Sequence, residues 1–193
     1  MASVFRASDF EDSRFTEIVE SCLKDFPNVK ALRMEQRTCL INLARGKDVF
    51  AILPTGFGKS LIFQLFPRVV NALRSIEAGK LTSIIVVSPL VSVMRDQVAE
   101  LKKNGFSAAA IGIGEECEED EEKVKNGECE IVFGSPKSWL SKAWMKELKE
   151  GKLGKQTAAV AIDEVQSVTE WYVSFFAYII TMNISLIMNV TTR

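Results

Sequence analysis

The run Leu53-Pro54-Thr55-Gly56-Phe57-Gly58-Lys59-Ser60 constrains what this chain can fold into more than any other stretch. Before it, the apolar residues of Asp48-Val49-Phe50-Ala51-Ile52 predict a buried strand, and after it Leu61-Ile62-Phe63-Gln64-Leu65-Phe66 predicts a helix. Strand, glycine-bearing turn, Gly-Lys-Ser and helix together are the layout of a phosphate-binding loop. Gly56 and Gly58 let the backbone turn tightly, so that successive amide N–H groups can face one anion. The start of the following helix adds orphan N–H groups and the positive end of its dipole. Lys59 then suits the β/γ-phosphates and the Ser60 hydroxyl suits Mg²⁺, with Pro54, Thr55 and Phe57 completing the candidate nucleotide-binding set. The general pattern asks for glycine five residues before Gly58, where this chain has Leu53, so a glycine-rich turn without a ligand stays open as the alternative.

A second acidic feature strengthens the phosphate reading. Asp163-Glu164 follows the small apolar strand Ala158-Ala159-Val160-Ala161-Ile162, about a hundred residues after the loop. Ligands of open α/β sheets bind at the carboxyl ends of strands, so both segments are expected on one sheet edge, at neighbouring strand tips. Asp163 is placed to hold Mg²⁺ and Glu164 to polarise an attacking water.

The rest of the chain alternates in the same way. Helices are predicted over residues 11–24, Arg33 to Ala44, Val91 to Asn104 and Lys137 to Lys149. Strands are predicted over Leu81 to Ser88, Ala108 to Ile113 and Glu130 to Phe133. Strands alternating with helices imply an α/β fold with a mostly parallel sheet. The acidic block Glu115 to Glu122 reads as a solvated loop or helix surface, one that could also repel nucleic acid.

With 193 residues and a net charge of −1, the chain can hold one α/β core but projects no global basic field toward a nucleic acid. Any such binding must come from a local groove. Cys22, Cys39, Cys117 and Cys129 lack C-x-x-C spacing and there is no histidine, so no zinc site is expected. Isolated reduced thiols and an N-terminus without an apolar h-region predict a nuclear or cytoplasmic protein that is not secreted.

Several further segments, in order, resemble the RecQ family of superfamily-two DNA helicases. Leu32-Arg33-Met34-Glu35-Gln36 is similar to the family's adenine-recognising motif. Leu53 to Ser60 is similar to its motif I, where the position of Leu53 is commonly not glycine. Val87-Ser88-Pro89-Leu90-Val91-Ser92-Val93-Met94-Arg95-Asp96-Gln97-Val98 resembles motif Ia, and Gly134-Ser135-Pro136-Lys137 sits where motif Ib belongs. Asp163-Glu164-Val165-Gln166 occupies motif II, and Glu170-Trp171 matches the start of the aromatic-rich loop. The resemblance implies a RecA-like ATP-binding lobe over residues 27–171, preceded by a helical extension over 1–26. It implies that Gln36 selects adenine with Arg33 near the base, and that Lys59, Asp163, Glu164 and Gln166 serve hydrolysis. Single-stranded DNA is the implied partner, contacted by Ser88, Pro89, Arg95, Gln97, Ser135, Pro136 and Trp171.

Two departures qualify the resemblance. The family usually has histidine where this chain has Gln166, which can hydrogen-bond but cannot carry charge, so coupling of hydrolysis to DNA is in question. After Trp171 the pattern stops, and Tyr172 to Thr192 contains no charged residue. Residues 172–193 are set apart as a divergent tail, with truncation expected over a membrane anchor because Ser, Thr and Asn stud the run. A truncated non-catalytic nucleotide- or DNA-binding module, or an RNA helicase of the same superfamily, are the alternatives. With no recognisable second RecA-like lobe, the chain is expected to bind ATP, hydrolyse it barely and not unwind DNA.

Overall fold

The structure, a computed structural model, describes residues 12–74, 81–114, 118–163 and 185–192. In chain order the elements are α1 (Asp12–Leu23), α2 (Met34–Ala44), β1 (Val49–Pro54), α3 (Lys59–Arg74), β2 (Ser83–Val87), α4 (Val91–Lys103), β3 (Ala108–Ile111) and α5 (Glu118–Lys125). They continue with β4 (Ile131–Gly134), α6 (Pro136–Trp139), α7 (Lys142–Glu150), α8 (Lys152–Gln156), β5 (Thr157–Ile162) and β6 (Ser185–Thr192).

The strands form one sheet in the order β1-β6-β5-β2-β4-β3, and every pairing is parallel. Parallel neighbours need crossover connections, and these are right-handed in nearly all proteins. The chain moves one way across the sheet from β1 to β2 to β3 and back through β4 and β5. Handedness therefore puts α3 and α4 on one face and α5 to α8 on the other. The two apolar cores obey this. Alternate sheet residues Ala51, Leu53, Ile84, Val86 and Ile187 pack with α1 to α4. Ile85, Val87, Val132, Val160 and Leu186 pack with Trp139, Trp144, Leu148 and Leu153 on the opposite face.

β6 comes from the uncharged segment that the sequence reading set apart. It runs between β1 and β5, with Val49 opposite Ile187 and Ala161 opposite Ile187 from the other side. A strand inside a parallel sheet is covered on both faces, which is why charges are missing from it. Its start is tied to β1 by the Leu186 N–H, which donates to Asp48 Oδ1 at 2.9 Å. The sequence reading expected the strand before the Gly-Lys-Ser loop and the Asp163 strand to be neighbours; they are not, because β6 fills the place between them. Among the described residues no helix is long and apolar enough to cross a membrane.

The single helix expected over Lys137 to Lys149 is broken. Ser135 caps α6 by accepting from the Ser138 N–H at 3.1 Å, and Ser141 caps α7 by accepting from the Trp144 N–H at 3.4 Å. The second serine restarts the helix with a new direction. The acidic block lies partly in α5, where Asp120 pairs with Lys102 of α4 at 2.9 Å and Glu119 with Lys123 at 2.6 Å.

At the amino end of the sheet one arginine gathers four segments. Arg68 of α3 pairs with Asp25 after α1, donates to Glu130 Oε1 at 3.0 Å before β4, and donates to the Gly105 carbonyl at 2.6 Å. Its guanidinium also lies 3.5 Å from the Phe106 ring centroid. The helical extension is thus locked to the sheet, and Phe15, Val19 and Leu23 of α1 share the α3 core.

Two outcomes are expected from this packing. Ile187→Ala should lose about 2–5 kcal/mol of stability in urea unfolding, because Ile187 is fully buried in the middle of the sheet. A loss near zero would mean that β6 is not an interior strand. Burial raises the Cys129 thiol from an ordinary 9.0 to about 11. Between those values the unfolded chain loses its proton before the folded one, so stability should fall as pH rises through that window. Replacing Cys129 with alanine should make that part of the curve less steep, leaving the share of Cys22, whose thiol burial also raises to about 11.

Candidate nucleotide site

Parallel pairing places the carboxyl ends of all six strands on one edge, and the candidate residues distribute along it in strand order. The phosphate-loop residues follow β1, Asp163 follows β5, Ser88 follows β2 and Ser135 follows β4. Nucleotide candidates thus occupy one end of the edge and nucleic-acid candidates the other.

The loop after β1 has the shape its glycines predict. Gly56 and Gly58 sit at φ +73° and +81°, in the left-handed region that side chains rarely adopt. α3 begins at Lys59, directly after the second of these turns, so its free N–H groups open at the loop. Lys59 Nζ folds back to donate to the Leu53 and Pro54 carbonyls, each at 3.1 Å. Those are ammonium donors resting on neutral oxygens, a weaker match than anionic phosphate oxygens.

Gln36 holds the loop from behind. Its Nε2 donates to the Phe57 and Gly58 carbonyls at 3.0 Å each, and its Oε1 accepts from the Arg33 N–H at 2.9 Å. Only 4 % of the residue is exposed, and a Cβ at Gly58 would lie 2.7 Å from Gln36 Nε2. Glycine is therefore required at 58 twice over, by backbone and by contact. Arg33, exposed at the start of α2, lays its guanidinium 4.3 Å from the centre of the Phe57 ring.

These groups border a cleft of about 810 Å³, with Phe26, Val29, Ser60 and Gln64 also in its wall. Lys30, Gln64 and Glu100 line it too, none of which the sequence reading singled out. Helical spacing carried the signal for one of them: Gln64 lies four residues after Ser60 on the same face of α3. Gln97, expected at the nucleic acid, lines this cleft instead, and its buried Oε1 has no partner among the described residues.

Asp163 is 7 % exposed at the tip of β5, and its N–H donates to the Val87 carbonyl at 2.9 Å. Ser60 and Asp163 offer oxygen, the donor type Mg²⁺ takes, and Mg²⁺ is usually held by one or two protein groups with phosphate and water supplying the rest. Among the described residues there is no cluster of three or more His, Cys, Asp or Glu that could hold a metal unaided.

The remaining expectations divide. Ser88 is buried, and its N–H donates to the Gly134 carbonyl at 3.1 Å. The Ser135 hydroxyl is occupied with Ser138, and Pro136 is the first residue of α6. Arg95 is exposed and donates to the Ile113 carbonyl at 2.8 Å, which points it along the β3 end of the edge. Pro89 is half-buried beside the exposed Leu90 and Val91. Glu164, Gln166 and Trp171 lie outside the described residues.

The family model for DEAD/DEAH box helicases matches residues 33–190, most of the chain. The chain is 31% identical over 159 residues to the ATP-dependent DNA helicase Q-like SIM of Arabidopsis thaliana, covering 82% of this chain and 17% of that protein. It is 33% identical over 164 residues to the ATP-dependent DNA helicase hus2/rqh1 of Schizosaccharomyces pombe, covering 79% and 12%. The ATP-dependent DNA helicase RecQ of Haemophilus influenzae is 25% identical over 154 residues, covering 78% and 23%. The chain thus spans less than a quarter of each of these relatives. In fold it is similar to the DEAD-box helicase Mss116 bound to ssRNA and UDP-BeF, at TM-score 0.69 and 14% identity, covering 92% of this chain and 38% of that one. It is also similar to the DUF1998 helicase MrfA bound to DNA and AMPPNP, at TM-score 0.67 and 17% identity, covering 91% and 26%. With a Gly-Lys-Ser loop shaped by two left-handed glycines at the tip of β1, an acidic strand end on the same edge and a family match over residues 33–190, the chain belongs to the DEAD/DEAH box helicases.

Proposed function

We propose that this chain is the ATP-binding lobe of a RecQ-like, ATP-dependent 3′-to-5′ DNA helicase, with single-stranded DNA as its second ligand. The observation that carries the reading is the loop after β1, shaped by two left-handed glycines and held by Gln36 on the edge that also carries Asp163. The lobe starts near residue 27 and extends through β6, with 1–26 as a helical extension. Acting on chromosomal DNA, such a helicase works in the nucleus.

Lys59 exchanges its two carbonyl partners for phosphate oxygens when nucleotide enters, and the loop N–H groups and the α3 start surround the same anion. Ser60 and Asp163 are the residues that would hold Mg²⁺, which when bound neutralises charge between the β- and γ-phosphates. Glu164 orients the attacking water. Gln36 reads the adenine edge by releasing one of its loop carbonyls, so base recognition and loop geometry share one side chain. Arg95 and Ser135, farther along the edge, are the groups that would meet the DNA backbone, with the buried Ser88 supporting the turn beneath them, Trp171 stacking on a base and Gln166 linking the two ligands. Motor action needs a second RecA-like lobe. Such a partner normally supplies an arginine finger, worth roughly 10³–10⁵ in rate. The 193-residue chain alone therefore binds ATP, turns it over slowly and leaves duplex DNA closed.

Lys59→Ala should weaken magnesium–ATP binding about 10- to 100-fold, the worth of charge-assisted hydrogen bonds, as read by calorimetry. Unchanged affinity would sink the reading. Gln36→Leu removes a buried side chain's hydrogen bonds to the half-buried Phe57 carbonyl, the exposed Gly58 carbonyl and the Arg33 N–H. It should cost about 1–3 kcal/mol in urea unfolding and lower ATP affinity together. Full affinity with lowered stability would confine Gln36 to a structural role.

A further inference from the structure

We propose that Phe57 is a positioning residue for base recognition: its ring packs against the Arg33 guanidinium in the wall of the nucleotide cleft and holds that cation ready to meet a purine base. The inference rests on the nucleotide reading of the loop and adds a part that neither the phosphate-loop pattern nor the family resemblance assigns to this side chain. In that pattern position 57 is unspecified, and its contribution is backbone.

Three observations carry it. Arg33 lies with its guanidinium carbon 4.3 Å from the Phe57 ring centre, inside the range of a cation–π contact. A planar cation stacked on one ring keeps its second face available for another flat group. Phe57 and Arg33 are also tied through one glutamine, since Gln36 donates to the Phe57 carbonyl and accepts from the Arg33 N–H. The backbones that carry the cation and the ring are therefore held by the same amide. Finally, all three line the same cleft as Gly56, Gly58 and Ser60, so the stack sits beside the phosphate-binding turn.

The physical reason for such a part is entropy. Arg33 is exposed, and a long exposed side chain gives up rotamer freedom when it clamps a ligand. Holding the guanidinium in place before the base arrives removes part of that loss, which is the general logic of preorganisation. An adenine ring would then complete a sandwich of base, guanidinium and phenyl ring, with Gln36 at its polar edge. Phe57 links the loop to Arg33, because its backbone is part of the glycine turn and its ring meets the guanidinium.

The test compares ATP with inorganic tripolyphosphate as magnesium-dependent ligands of the full chain, by calorimetry or competition. Phe57→Leu should weaken ATP about two- to fivefold, the worth of an exposed cation–π pair, and leave tripolyphosphate unchanged. Phe57→Tyr keeps a ring and should retain wild-type affinity. In an Arg33→Lys background, which keeps charge but loses the plane, Phe57→Leu should add nothing further. Equal losses for ATP and tripolyphosphate would make Phe57 a loop-shaping residue and overturn the inference while leaving the nucleotide site intact. Unchanged ATP affinity in Phe57→Leu would overturn it as well. Wild-type protein that binds neither ligand would remove the nucleotide reading itself.

Discussion

Parallel pairing with right-handed crossovers is the constraint on which the rest of this molecule depends. It makes every strand end at the same edge and every return path cross a face. The loop after β1, Asp163 after β5, Ser88 after β2 and Ser135 after β4 therefore share one edge without any contact having been selected to bring them there. The strand order then spaces them. One strand, β6, separates the tip that carries the lysine from the tip that carries the acid. The nucleic-acid candidates follow on the far side of the acid.

The two ends of the sheet are built differently. At the amino end, Arg68 is saturated by Asp25, Glu130, the Gly105 carbonyl and the Phe106 ring. A half-buried charge with that many partners holds its surroundings in one geometry, and removing one partner is costly. At the carboxyl end the polar groups are paired with exchangeable partners instead. Lys59 rests on two neutral carbonyls, and Gln36 on two more. Such bonds occupy the half-buried lysine and the buried glutamine with neutral acceptors, and an anionic oxygen is a stronger acceptor for an ammonium donor. Charged, multiply paired contacts are thus concentrated at the amino end of the sheet and neutral, exchangeable ones at the carboxyl end.

Much of this was legible along the chain. The glycine spacing, the lysine after the second glycine and the apolar runs on either side identify the loop because they are local requirements of backbone geometry. The acidic pair at the end of an apolar strand is similarly local. What was not legible depends on distance in sequence. The break at Ser141 is a cap that interrupts an otherwise continuous helical pattern. The place of Gln97 in the nucleotide cleft follows from how α4 lies on the sheet. The uncharged run ending in Ser185–Thr192 reads as a foreign tail because its lack of charge fits both a membrane and a buried strand.

The amino-acid sequence by itself determined the local chemistry: which turn can cradle an anion, which residues are charged beside it, and that strands alternate with helices. Only the tertiary structure decided which strands are neighbours. It put β6 between the lysine and the acid, turned Gln36 onto the loop carbonyls and stacked Arg33 on Phe57. The physical reason is that φ, ψ and capping act over a few residues and can be read from order alone. Strand order and side-chain partners are settled by how two apolar faces of one sheet are covered at once, and that is a property of the whole chain.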